Sequence, residues 1–389
     1  MPYNFDTLIN RKGTNSLKFD FAAERGYPTD VLPLWVADMD FPAPPAVNEA
    51  LHVAVNHGIY GYSEVKRDYA SVVASWFENN HAYRPDEDWL VKTPGVVFAL
   101  ATAVNTLTKE GDSVLIQPPV YYPFYEVIRD NDRKIVENPL KEKDGHYEID
   151  YEDFEKKIAE ENVKLFILCS PHNPVGRVWK EWELVKISEI CLKHDVYVVS
   201  DEIHCDLLIG DNRHIPFLKI ADELAQKTIV CTSPSKSFNI AGLQVANNFI
   251  PNPAIRRLFR KEIDKAGYSQ HNTLGLVAAR AAYEKGADWL SECRKYLAGN
   301  LELIRSFVKE KLPGVRLIEP EATYFAWLDF NGLGLDVQEL DRLIINKAKL
   351  WLDSGKIFGE SGRGFERIAY ATQRARLKEA LERLTLILK

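Results

Sequence analysis

The sequence predicts an α/β fold: a mainly parallel central sheet with helices on both faces, plus a smaller α+β domain. Three observations carry this reading. Short apolar, β-branched runs alternate with amphipathic stretches through the middle of the chain. Three polar motifs fall at the ends of those runs. The pattern then changes character near Pro313.

The runs at 114–116, 165–168, 196–199 and 229–231 are apolar along their length, as strands buried on both faces are. Between them, 180–194 reads as a helix with Trp182, Val185, Ile190 and Leu192 mostly on one face. Alternating strand and helix predicts a mainly parallel sheet. Ligands bind such sheets at the carboxyl ends of the strands. Asn173, Asp201 and Lys236 each stand at or just after such an end. Beyond 313, the stretches 315–318, 324–328 and 364–370 read as strands of another sheet, and 374–388 as a closing amphipathic helix. This places a large domain at 46–285 and a small one at 1–45 together with 286–389.

Composition excludes several classes. With 46% hydrophobic and 27% charged residues the chain reads as globular, and a net charge of −7 argues against nucleic acid as a partner. No apolar run approaches the roughly 20 residues that span a bilayer, so no membrane partner is expected. The N-terminus lacks the basic and apolar regions of a secretion signal. Five cysteines without CxxC spacing read as reduced thiols of a cytoplasmic protein rather than a zinc site. Gly359-x-x-Gly362-x-Gly364 does not open a helix after a strand, so it is not a dinucleotide loop.

Lys236 lies in Ser233-Pro234-Ser235-Lys236-Ser237-Phe238-Asn239-Ile240-Ala241-Gly242. An amine at the end of a short apolar strand, flanked by serines and followed by a glycine turn, suits one task. It can hold an aldehyde cofactor as a Schiff base while nearby hydroxyls bind that cofactor's phosphate. Two upstream motifs strengthen the reading: Ser170-Pro171-His172-Asn173-Pro174-Val175-Gly176 and Ser200-Asp201-Glu202-Ile203-His204. The acidic and histidine positions 201–206 do not suggest a metal, because an extended chain sends alternate side chains to opposite faces.

Together these motifs resemble the fold-type I pyridoxal-phosphate enzymes of the class I/II aminotransferase superfamily. Trp35-Val36-Ala37-Asp38-Met39-Asp40-Phe41, Gln117-Pro118-Pro119-Val120-Tyr121 and the lysine motif are similar to its cystathionine β-lyase/C–S lyase branch. The resemblance runs from about residue 30 to the C-terminus. It implies pyridoxal 5'-phosphate as cofactor, an amino acid as substrate and a homodimer with a shared active site.

The resemblance also implies roles. Lys236 carries the cofactor and then takes the substrate Cα proton, which requires a lowered pKa. Asp201 pairs with the pyridine nitrogen, the lesser alternative for a carboxylate there being a helix cap. Asn173 donates to the ring oxygen, and Asn-Pro is also a turn former. His204 stands where many relatives have a tyrosine and the C–S lyase branch has a histidine. Tyr121 stacks on the ring, with Tyr122 as its competitor. The phosphate is expected at the Val96 and Val97 amides that open a helix over 98–107, at the Ser233 and Ser235 hydroxyls, and at Tyr62 supplied by the neighbouring subunit. Many relatives carry an arginine or lysine where this chain has Gln244. Arg367 matches the arginine that grips the substrate carboxylate, with Arg363 and Arg374 nearby. The run Arg367-Ile368-Ala369-Tyr370-Ala371-Thr372-Gln373-Arg374 departs from the branch pattern, which leaves the identity of the substrate open. Two activities fit these residues: a β-eliminating C–S lyase and, as the alternative, an aminotransferase.

Overall fold

Seven strands make the central sheet: β1 Leu90–Thr93, β2 Ser113–Ile116, β3 Lys134–Glu137, β4 Val163–Cys169, β5 Tyr197–Asp201, β6 Thr228–Thr232 and β7 Ala246–Phe249. The computed structural model that shows them describes residues 3–220 and 222–388. Met1 and Pro2 of the N-terminal stretch read above, with Ala221 and Lys389, lie outside the described residues. The strand order is β1-β7-β6-β5-β4-β2-β3. Neighbours from β6 to β3 are parallel, and β7 runs antiparallel to both β1 and β6.

Side chains of the inner strands alternate between two separate cores. Phe166, Leu168, Val198 and Val230 enter the larger one, while Leu165, Ile167, Val199 and Ile229 enter the other. A sheet covered on both faces explains why these strands are apolar without alternation.

β7 was not apparent from its sequence, because Asn247 and Asn248 interrupt any apolar run. Both are fully buried and hydrogen-bonded. Asn248 Nδ2 donates to Val91 O and Thr93 Oγ1, and Asn247 Oδ1 accepts from the Tyr69 hydroxyl. These partners meet much of the polar cost of burial, while Asn248 Oδ1 has no partner among the described residues.

The helix expected at 180–194 is Glu181–Lys193, but its buried face differs from the expected one. Glu183, Leu184, Ile187, Ile190 and Cys191 point inward, whereas Trp182, Val185 and Leu192 are exposed. The reason is Arg177, whose buried guanidinium holds both oxygens of Glu183 at 3.0 and 2.9 Å and so turns that acidic position into the core.

A second, antiparallel sheet is formed by β8 Arg316–Ile318, β9 Phe325–Asp329, β10 Asp353–Ser354 and β11 Phe365–Ala369, in the order β8-β9-β11-β10. The closing helix is Arg374–Leu384, followed by a 3-10 turn. Leu32–Pro33 pairs in parallel with Leu350–Trp351, tying the N-terminal stretch to the C-terminal part of the chain. Among the described residues no helix is long and apolar enough to cross a membrane. All five cysteines are buried free thiols.

β10 leads into two short turns that touch backbone to backbone. A Cβ placed on Gly355 would lie 1.9 Å from the Gly362 carbonyl oxygen and 2.7 Å from the Phe365 carbonyl oxygen. Neither backbone atom can rotate away, so Gly355→Ala is expected to destabilise the protein by about 3 kcal/mol. A chemical-denaturation midpoint measured against the parent checks this; an unchanged midpoint would refute the tight contact.

Candidate active site

β6 ends at Thr232, and the chain turns at once into the one-turn helix Pro234–Ser237. Ser233 caps that helix: its Oγ accepts from Ser235 N–H at 3.0 Å and donates to Val245 O at 2.7 Å. Pro234 suits the first helical position, where its missing N–H leaves nothing unpaired. Ser237 Oγ donates to Asp206 Oδ2 at 2.6 Å. Asp206 also accepts from Trp76 Nε1 at 3.0 Å, and His81 Nε2 lies 2.9 Å away. The turn that bears Lys236 is thus fastened at both ends.

Lys236 reaches into a cavity of about 550 Å³ lined by Gly95 to Phe98, Tyr121, Asn173, Asp201, His204 and Ser235. Its Nζ donates to Ala37 O at 2.7 Å, and the Tyr324 hydroxyl donates to the same oxygen at 3.0 Å. The segment carrying Ala37 is clamped by Asn239, which accepts from Met39 N–H and donates to Met39 O and Phe41 O. Burial pushes the Lys236 pKa down to about 8, with the positive Arg367 acting in the same direction against Asp38 and Asp201.

Asp201 ends β5 at the cavity, buried, with Oδ1 accepting from Ile203 N–H at 3.1 Å. It caps a turn there rather than a helix. Burial pushes its pKa up to about 7, and among the described residues no cation pairs with it. A buried carboxylate without a counter-ion fits a protonated ring nitrogen. His204 stands edge-on to Phe325, ring centroids 5.6 Å apart, and its Nδ1 has no partner among the described residues. Burial, then the charges of Lys236 and Arg367, hold its pKa well below the usual range, so the imidazole is neutral.

Asn173 Oδ1 accepts from Arg367 Nη1 at 2.9 Å, which leaves the Asn173 amide N–H groups free to donate into the cavity. Arg367 sits on β11, opposite Asp353 in the ladder, and is ion-paired to it. Arg367 Nη2 also donates to Trp35 O, and the guanidinium lies 4.1 Å from the Phe325 ring centroid. The two competing arginines are elsewhere. Arg363 is exposed and paired with Glu360, while Arg374 packs on the Tyr296 ring. Of the two tyrosines, Tyr121 lines this cavity and Tyr122 lines a neighbouring one.

Val96 and Val97 open the helix Val96–Leu107 at the cavity wall. Their amides precede the first intrahelical partner and face the cavity with the positive end of the helix dipole. Ser235 lines the cavity; Ser233 does not. This corrects the expectation that both hydroxyls face the phosphate, because Ser233 is committed to capping. Tyr62 is 94% exposed and does not line the cavity of its own chain. Gln244 and Tyr268 do line it. Sequence reasoning missed Tyr268 and Asp353, since neither stands in a motif, and it set Asp206 aside with the 201–206 run; their roles follow from tertiary contact.

These groups fit pyridoxal phosphate: an amine, an acid for the ring nitrogen, an aromatic face and a helix start for the phosphate. The amine attacks an aldehyde only when neutral. Cofactor incorporation into the apoprotein is therefore expected to speed up as pH rises through about 8 and to level off above it. Stopped-flow absorbance across a pH series checks this; a rate that falls over that range would refute it.

The aminotransferase class I and II family matches residues 29–384. The chain is 43% identical to cystathionine beta-lyase PatB of Bacillus subtilis over 381 residues, 98% of each chain. It resembles the crystal structure of cystalysin from Treponema denticola, which contains pyridoxal 5'-phosphate, with TM-score 0.96 and 41% identity over 100% of this chain and 99% of that one. It also resembles the PLP-bound C-S lyase of Staphylococcus hominis, with TM-score 0.93 and 34% identity over 99% and 98%.

Proposed function

The chain belongs to the class I and II aminotransferase family, and on that premise we propose that it is a pyridoxal-phosphate-dependent carbon–sulfur lyase. It acts by β-elimination on cystathionine or a related cysteine thioether, giving a thiol, pyruvate and ammonia. The observation that carries this reading is the meeting of Lys236, Asp201 and Asn173 around one cavity, with Arg367 hydrogen-bonded to Asn173 behind it.

Bound pyridoxal phosphate supplies an aldehyde that captures amines and a ring that withdraws electrons from the substrate Cα. The chain's residues do the rest. Lys236 is the residue to hold the aldehyde carbon, and its amine, neutral above about pH 8, takes the proton from Cα. Asp201 would pair with a protonated ring nitrogen, and that cation would draw the Asp201 pKa back down. Tyr121 would offer a flat face to the ring, and Asn173 and the neutral His204 would be the groups available to its oxygen. The amides of Val96 and Val97 with the Ser235 hydroxyl would receive the phosphate. Arg367 orients the substrate carboxylate.

Val53, Ile59, Tyr60 and Tyr62 are exposed on the helix Pro45–His57 and the segment after it. That neighbouring apolar and aromatic surface supports a homodimer in which Tyr62 reaches the partner's phosphate site. The buried free thiols support a reducing, cytoplasmic setting.

Purified protein is expected to release pyruvate and thiol from cystathionine with no added 2-oxo acid. Turnover that requires a 2-oxo acid acceptor and releases no thiol would overturn the lyase reading in favour of an aminotransferase.

A further inference from the structure

A further cavity, of about 320 Å³, lies apart from the cofactor site, between the segment 207–210 and the long helix Ala287–Lys311. Leu207, Leu208, Ile209 and Leu297 give it apolar walls, and Arg294 and Lys295 bring charge. The two cations differ. Lys295 is exposed and ion-paired with Glu292. Arg294 is half-buried, and its Nε donates to Leu208 O at 3.0 Å. Among the described residues neither of its terminal nitrogens has a hydrogen-bond or ion-pair partner. Burial lowers the Arg294 pKa, and Asp206 is the one charge acting the other way. The Asp206 oxygens are already taken by Trp76, His81 and Ser237. The fold therefore uses one N–H of this guanidinium and leaves the rest of the donor fork open.

The walls are held in place. Thr323 N–H donates to Leu207 O at 2.7 Å, and Ile209 N–H donates to Glu321 O at 3.0 Å. These bonds tie 207–209 to 321–323 as a two-ply strap. Thr323, which also lines the cavity, is a buried β-branched residue at φ 76°, a conformation that costs energy. Besides its own amide bond, the Tyr370 hydroxyl donates to Thr323 O and Phe325 N–H donates to Thr323 Oγ1. The strap continues into the cofactor site. Leu207 N–H donates to His204 O at 3.0 Å. Tyr324, the residue after Thr323, donates to the same Ala37 oxygen that receives Lys236.

We propose that this cavity is an effector site for a small carboxylate with an apolar body. The carboxylate takes the open donors of Arg294 in charge-assisted hydrogen bonds. The apolar body lies against Leu207, Ile209 and Leu297, whose fixed backbone spares the ligand the cost of ordering a site. An occupant touches the strap and not the cofactor cavity. It therefore acts on turnover without competing with substrate, by favouring one position of the strap over another.

The probe is hexanoate, titrated by calorimetry into the holoenzyme, with hexylamine as the control of opposite charge. Hexanoate is expected to bind with a Kd of about 1 mM, and hexylamine not to bind. Arg294→Gln removes the cation. Ala298→Phe fills the mouth from an exposed position and leaves Arg294 in place. Unchanged melting temperatures verify that both variants fold. Each is expected to weaken hexanoate binding about tenfold. With cystathionine saturating, hexanoate should change kcat of the parent about twofold and of neither variant. Binding to Arg294→Gln within about twofold of the parent, or equal binding of hexylamine, overturns the site. Inhibition of the parent that saturating cystathionine removes would place the carboxylate at Arg367 and overturn the effector role. The calorimetry needs no turnover, so a parent that eliminates nothing from cystathionine overturns the lyase reading and leaves this site standing.

Discussion

Lys236→Ala is expected to lower kcat by on the order of 10³–10⁴-fold. It should also abolish covalent retention of the cofactor after borohydride reduction, read by the mass of the intact protein. The amine carries two duties, tethering an aldehyde and moving the Cα proton, and among the described residues no second lysine lines the cavity. The fold should survive the change. The turn is capped by Ser233 and anchored through Ser237 to Asp206, and neither contact uses the lysine side chain. A small primary amine added to the assay should restore part of the proton transfer. Retention of activity within tenfold of the parent would remove Lys236 from the chemistry.

Arg367→Ala is expected to strike both activity and stability. Loss of the carboxylate grip should lower kcat/KM by on the order of 10²-fold. The larger effect is on folding. Burial already holds the Asp353 carboxyl above its usual range, and Arg367 is its ion-pair partner. Removing one member of a buried pair costs about 3–5 kcal/mol, because the other is left charged and unpaired. The double variant Arg367→Ala/Asp353→Asn should recover most of that stability and none of the activity. Denaturation midpoints and steady-state kinetics separate the two effects. A double variant no more stable than the single one would show that Asp353 is not the source of the loss.

The features legible in the sequence were those that chemistry fixes locally. Runs such as 165–168 and 229–231 are apolar because both faces of the sheet are covered, and the motifs at Asn173, Asp201 and Lys236 follow strand ends directly. The lysine turn could be read because serine, proline and glycine each have a local conformational reason to be there. Other features depended on contacts far apart in sequence. β7 hides behind two asparagines whose partners are about 155 and 178 residues away. Trp182 suggests a buried helix face until Arg177 is seen to draw Glu183 inward. Ser233 has the right composition for an anion site, yet its hydroxyl is used by the helix it begins. Asp353 carries no motif at all and Asp206 only closes the 201–206 run, and their importance follows from which cation or hydroxyl the fold sets against them.

The amine of Lys236 rests on a main-chain oxygen, that of Ala37. A side-chain acceptor could be deleted by a single codon change; a peptide carbonyl cannot. Variation at residue 37 itself leaves this contact in place, so natural or laboratory diversification can break this hydrogen bond only by shifting the ribbon from Trp35 to Phe41. Asn239, three positions along from the lysine, pins that ribbon with three hydrogen bonds. The resting position of this amine is thus inherited through architecture, and libraries meant to move it should be built around Asn239 rather than around Ala37.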